Sequence, residues 1–134
     1  MRTFGLSEFL FIVQAAQWTL ALSAIAFVGG ALLGLVVALS RTSENAVARN
    51  ASRVFIQVFQ GTPLLLQLFL IFFGAPVLGL DINPWVAAGV ALVLNSAAFL
   101  AEIWRGCIEA VPRGQWEAAQ ALNLSYINRM RFVV

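Results

Sequence analysis

Apolar residues run almost unbroken through three stretches of this chain, and polar ones gather between and after them. Residues 18–39 hold no charge and no proline. About 22 residues at a helical rise of roughly 1.5 Å reach about 33 Å, enough to cross a hydrocarbon core. A second apolar stretch covers residues 54–73 and a third residues 84–104. Between these two, GAPVLGLDINP makes a short turn. There Asn83 is placed to cap the third helix, and Pro84 to take its first position, where a missing N–H costs nothing. Trp85 and Trp104 then fall near the two membrane interfaces. The pattern predicts an all-α integral membrane protein with three transmembrane helices (about 18–39, 54–73 and 84–104), followed by one polar helix after Pro112. The first 17 residues carry Arg2 and Glu8 around a short apolar run from Phe9 to Val13. That run is too short and too interrupted for a secretory signal, so the stretch is expected to lie along the membrane surface.

Composition agrees with the pattern. Of 134 residues, 61% are hydrophobic and 10% charged, far below the roughly one-quarter charged share of soluble domains. The chain has no histidine and a single cysteine, Cys107. An internal disulfide is excluded, and the commonest metal ligand and general base is missing. No catalytic group, no metal site and no cofactor is expected. The basic residues are all arginine, and their placement carries orientation. Arg41, Arg49 and Arg53 lie between the first two spans, none lies between the second and third, and Arg105, Arg113, Arg129 and Arg131 follow the third. The positive-inside rule puts both basic segments in the cytoplasm and the N-terminus outside. The chain shows no internal repeat and no flexible linker, which makes it one domain or part of one.

Within the spans, a few residues depart from plain lipid-facing character. Ala26, Gly30, Gly34 and Ala38 recur every four residues and form a stripe along which another helix can approach closely, in this chain or in another subunit. In FQGTPLLLQLF, Pro63 has no N–H and crowds the carbonyl of Phe59, while Gly61 loosens the chain just before it. A kink or a helix restart with Thr62 as cap is expected. Gln60, Thr62 and Gln67 are costly against lipid. They either bond to neighbouring helices or line a polar pathway at a broken helix. Asn95 and Glu102, seven residues apart, share a helix face at about 10 Å. An intramembrane carboxylate is a functional candidate, although Arg105 is also in position to pair with it.

The remaining feature is the polar helix. Residues from Gln115 to Leu122 are good helix formers, with Glu117 expected in the first turn, where the helix dipole favours an anion. Trp116, Ala119 and Asn123 share one face, with Leu122 beside it. A short alanine-rich helix with one large aromatic suits either a protein groove or the membrane surface. QWEAAQALNLSYINRMRFVV resembles the EAA loop of permease subunits of bacterial ABC importers, and GTPLLLQLF with AEIWRGCIEAVPRGQWEAA is similar to the polar amino-acid branch of that family. The resemblance extends over the chain from Trp18 onward.

The resemblance implies a multi-pass permease of the bacterial inner membrane, taking part in import of polar amino acids. A separate cytoplasmic ATP-binding subunit would supply the energy, a second permease subunit, identical or related, would complete the membrane dimer, and an extracytoplasmic solute-binding protein would deliver the solute. Lipid would surround it, and no nucleic acid is expected. Glu117, Ala118 and Ala119 correspond to the EAA motif of the coupling helix, with Trp116 and Leu122 flanking it. Asn123 stands where the family has glycine, the residue best suited to a left-handed turn, with asparagine next. The family continues through two further spans after RFVV, so residues 1–134 are expected to form a partial, C-terminally truncated version of a five-helix permease domain. No phosphate-cradling glycine loop followed by Lys and Ser or Thr is present, so ATP hydrolysis is not expected here. The rival reading is a non-transporting three-span protein whose cytoplasmic helix recruits a soluble partner. An intramembrane enzyme is more distant, because no Ser, His and Asp constellation exists.

Overall fold

A computed structural model describes residues 5–132. Six helices follow one another: α1 (Leu6–Arg41), α2 (Ala46–Gly61), α3 (Leu64–Val77), α4 (Pro84–Ala110), α5 (Arg113–Ala121) and α6 (Tyr126–Phe132). The described part of the expected surface stretch, from Leu6 to Gln17, is instead the start of α1. Nothing there breaks a helix, so the hydrogen-bond ladder continues through it. Gly5 opens it by donating its N–H to the Glu8 carboxylate at 3.0 Å. Arg2 lies outside the described residues. The third span also runs longer than its apolar stretch, to Ala110. At its start the Asn83 Oδ1 accepts the Trp85 N–H at 2.9 Å, with Pro84 inside the first turn.

The small-residue stripe meets α4 of the same chain. Ala26, Gly30, Gly34 and Ala38 are the buried residues of α1. Paired positions advance together along both helices: Trp18 packs on Trp85 with ring centroids 4.9 Å apart, Gly29 faces Val93, Gly30 faces Ser96, and Gly34 faces Ala97 and Ala101. At the far end Ala38, Ala101 and Ile56 of α2 form a small core with Val37, Phe55 and Trp104 around it. α1 and α4 therefore run parallel, and their Arg41 and Arg105 ends lie together. The absence of side chains at Gly30 and Gly34 lets the backbones approach, and close van der Waals packing holds helices together where lipid supplies no hydrophobic drive.

Two parallel neighbours require the chain between them to return. α1 and α4 are each long and apolar enough to cross a membrane, and α2 with α3, bent by 105° at its break, qualifies as a third crossing when the pair is counted as one broken span. Counting helical rise along both arms, this bent pair still measures about 29 Å end to end, close to the hydrocarbon thickness. The expected single second span is thus two helices. Thr62 does not cap the restart: it closes α2, its hydroxyl donating back to the Val58 carbonyl at 2.8 Å, and Pro63 precedes α3.

Candidate functional site

The helix break is the first of two places where polar chemistry concentrates. Pro63 cannot give the N–H that a continuous helix would offer the Phe59 carbonyl four residues earlier. In a low-dielectric interior an unpaired carbonyl is costly, so a partner must come from elsewhere. Gln67, one turn beyond the proline, supplies it. Its Nε2 donates to the Phe59 carbonyl at 2.8 Å, the Thr62 carbonyl at 3.0 Å and the Thr62 hydroxyl at 2.9 Å. Asn95 of α4 adds its Nδ2, which lies 3.4 Å from the same Phe59 oxygen and 3.3 Å from the Gln67 Oε1. Gln60 donates to the Ala98 carbonyl at 3.2 Å. Gln67 is buried, 5% exposed, while Gln60 and Asn95 are more accessible. Asn95 also borders a hollow with Ser23, Phe27, Ser96 and Phe99 on the outer side of α1 and α4.

Glu102 is not joined to this cluster. It pairs with Arg105, whose Nε donates to its Oε1 at 2.9 Å, and Arg105 also bridges to Glu109. The three form a chain of charges on the arginine-bearing end of α4. The five residues expected to line a polar pathway therefore divide: Thr62, Gln67 and Asn95 are brought together at the break, Gln60 bonds separately to the Ala98 carbonyl, and Glu102 is set apart in an ion pair.

The second place is the basic end of the bundle. The Thr42–Asn45 turn is closed by the Asn45 side chain, whose Oδ1 accepts the N–H of Val47 at 2.9 Å. Between it and α5 lies an open hollow of about 850 Å³ bordered by Arg41, Arg49, Glu109, Arg113, Trp116 and Tyr126. α5 starts at Arg113, so Glu117 sits beyond its first turn rather than within it. The helix turns Ala119, 3% exposed, inward, with Trp116 half-buried on the same side. Glu117, Ala118, Ala121 and Leu122 are exposed, Leu122 at 74%. The helix ends on Asn123, at φ 53°. The Asn123 N–H reaches the Gln120 carbonyl at 2.8 Å and the Leu124 N–H the Ala119 carbonyl at 3.0 Å. These two bonds make a Schellman close, for which asparagine replaces glycine. No group of three His, Cys, Asp or Glu side chains able to hold a metal occurs among the described residues.

Sequence reasoning missed two parts of this arrangement. The Phe59 carbonyl as shared acceptor was foreshadowed by the four-residue offsets from Pro63 back to Phe59 and on to Gln67. The meeting of Arg41, Arg49 and Tyr126 beneath α5 had no local signal.

Residues 30–134 match the family described as the inner membrane component of binding-protein-dependent transport systems. The chain belongs to that permease family. It is 36% identical over 130 residues to a probable amino-acid ABC transporter permease protein, YckA, of Bacillus subtilis, covering 97% of this chain and 58% of that protein. Over 125 residues it is 36% identical to the glutamine transport system permease protein GlnP of Escherichia coli K12, covering 92% of this chain and 57% of that one. The crystal structure of an amino acid ABC transporter with histidines matches with a TM-score of 0.78 at 36% identity, covering 99% of this chain and 64% of the other. The MetNI methionine ABC transporter in inward-facing form matches with a TM-score of 0.71 at 23% identity, covering 97% and 63%, a likeness of fold. The permease thus spans somewhat under two thirds of each relative. Family and apolar helices together make it a multi-pass inner-membrane protein of the amino-acid ABC permease group.

Proposed function

We propose that this permease forms part of the translocation pathway of an ATP-driven importer of polar amino acids, and that α5 is its coupling helix. The observation that carries the reading is the placement of α5. A short helix, closed at its C-terminal end by Asn123, sits at the arginine-bearing end of the bundle across an open hollow, with Glu117, Ala118 and Leu122 turned outward. An exposed Leu beside small residues is the surface a groove on another protein can accept. The cytoplasmic ATP-binding subunit is its proposed occupant, with Trp116 and Ala119 seating the helix from within and Asn123 ending it. Residues 1–134 act as one transmembrane unit beside a second permease subunit, with the N-terminus outside and an extracytoplasmic solute-binding protein on that side.

The broken helix supports the pathway half of the reading. Gln60, Thr62 and Asn95 place hydrogen-bonding groups at mid-depth, where a polar solute needs them, and the buried Gln67 supports the break behind them. Glu102 stands nearer the cytoplasmic end, where a carboxylate can attract an amino group once Arg105 is displaced. The chain itself has no catalytic role. The test is uptake in vesicles containing the assembled transporter, with a panel of labelled glutamine, histidine and arginine. ATP-dependent accumulation of one or more supports the proposal. No accumulation, with ATP hydrolysis by the ATP-binding subunit unaffected by this permease, overturns it.

A further inference from the structure

The hydrogen bonds at the α2–α3 break point to a role for Gln67 that lining a pathway does not require. Proline explains why the ladder fails at residue 63, but it does not select an angle, since proline kinks vary with what satisfies the freed carbonyl. Here one carboxamide does so, and it simultaneously holds the Thr62 carbonyl and hydroxyl on the other side of the break. Its two N–H groups are fully committed to α2 and the linker. Its carbonyl oxygen is committed to Asn95, which ties the corner to α4. Gln67 is the only buried residue of α3.

We propose that Gln67 is a positioning residue that sets the 105° bend between α2 and α3, standing in for the amide hydrogen that Pro63 lacks, and that Asn95 registers this bend against α4. The inference rests on geometry and holds whether or not the break lines a solute route. It predicts that the angle follows the donor capacity of residue 67. Leucine removes all donors. Methionine keeps a similar length and flexibility and likewise has no donor. No titratable side chain takes part in the cluster. α3 carries none. The nearest charges on α4 are Glu102 with Arg105, about 10 Å further along the helix, and on α2 Arg53, about 15 Å before the break. On α1 the charges are Glu8 and Arg41, toward its two ends.

The test is a spin-label distance across the corner, with labels at Asn50→Cys and Val77→Cys in a Cys107→Ser background, in the assembled transporter in lipid nanodiscs. Helical rise along the two arms gives about 25 Å for the observed bend and about 40 Å as the limit for a straight pair. The parent should give one narrow distribution near the shorter value. Gln67→Leu should broaden it and move it outward by several ångströms. Gln67→Met, of similar length but without a donor, should do the same. A narrow, unshifted distribution for Gln67→Leu would overturn the proposal, since Pro63 and packing alone would then set the angle. Should Gln67→Leu fail to assemble, a narrow, unshifted distribution for Gln67→Met would overturn it as well.

Discussion

Adding a single methyl group at Gly34 should separate the two parallel spans. A Cβ built there would lie 2.8 Å from the Ala97 carbonyl oxygen, and 3.3 Å from both the Ala101 nitrogen and the Ala97 Cα. All three are backbone atoms of α4, so no side chain can rotate away, and the helices must move apart by several tenths of an ångström. Overpacking of this kind costs about 1–3 kcal/mol. In lipid no hydrophobic gain offsets it, because the displaced surface is already in an apolar medium. Gly106→Ala provides the control, as that position lies in the partner helix α4 with nothing within 4 Å of the added Cβ. There alanine should stabilise by about 0.5–1 kcal/mol through its better helix propensity. The two substitutions should therefore differ by about 1.5–4 kcal/mol in opposite directions. Reversible unfolding in mixed micelles, followed by circular dichroism, reads the difference, and the near-ultraviolet signal of the Trp18–Trp85 pair reports separation of the helices directly. Equal stabilities for the two variants would refute the close-approach argument.

Other outcomes follow from the same geometry. Asn123→Gly should leave the end of α5 intact, whereas Asn123→Ala should cost about 1–2 kcal/mol at a left-handed position and accelerate amide exchange at Leu122 and Leu124. Asn83→Ala removes the acceptor for the Trp85 N–H and should destabilise the start of α4 by about 1 kcal/mol, measured by the same micelle titration. Glu102→Gln should change stability by less than about 1 kcal/mol, since the pair is partly exposed, yet lower amino-acid uptake more than tenfold; a small, parallel loss in both would remove Glu102 from the pathway. Cys107, exposed and on the arginine-bearing end of α4, should resist an impermeant thiol reagent in intact cells and react after the membrane is opened. Ready labelling of intact cells would invert the topology.

Much of this arrangement was legible because it depends on local rules. A charge-free run long enough to cross lipid, an Asn–Pro pair at a helix start and a four-residue repeat of small side chains each announce their consequence from neighbouring residues alone. The stripe from Ala26 to Ala38 indicated close approach but not to what, because a flat helix face has no address; only the register of Gly30 on Ser96 and Gly34 on Ala97 identifies α4. The break at Pro63 was legible, and its angle was not, since the angle depends on hydrogen bonds from Gln67 and from Asn95, 28 residues away in sequence. Leu6–Gln17 was set apart from the first span because hydropathy falls there, yet the backbone ladder has no reason to stop at a glutamine. At α5 the residue types suited either a protein groove or the membrane surface, and only the resemblance to the EAA loop implied docking. Which side faces outward needed the fold, for Ala119 is turned inward and Leu122 outward.

The central claim is that the outward face of α5 meets the ATP-binding subunit. Its most direct test is disulfide crosslinking in the assembled transporter, with single cysteines at Ala118, Leu122 and Ala119 in a Cys107→Ser background and a paired cysteine along the groove of the ATP-binding subunit. The account predicts efficient crosslinks from Ala118→Cys and Leu122→Cys that change with nucleotide, and little from the buried Ala119→Cys. Crosslinks absent from both outward positions in every nucleotide state would contradict it.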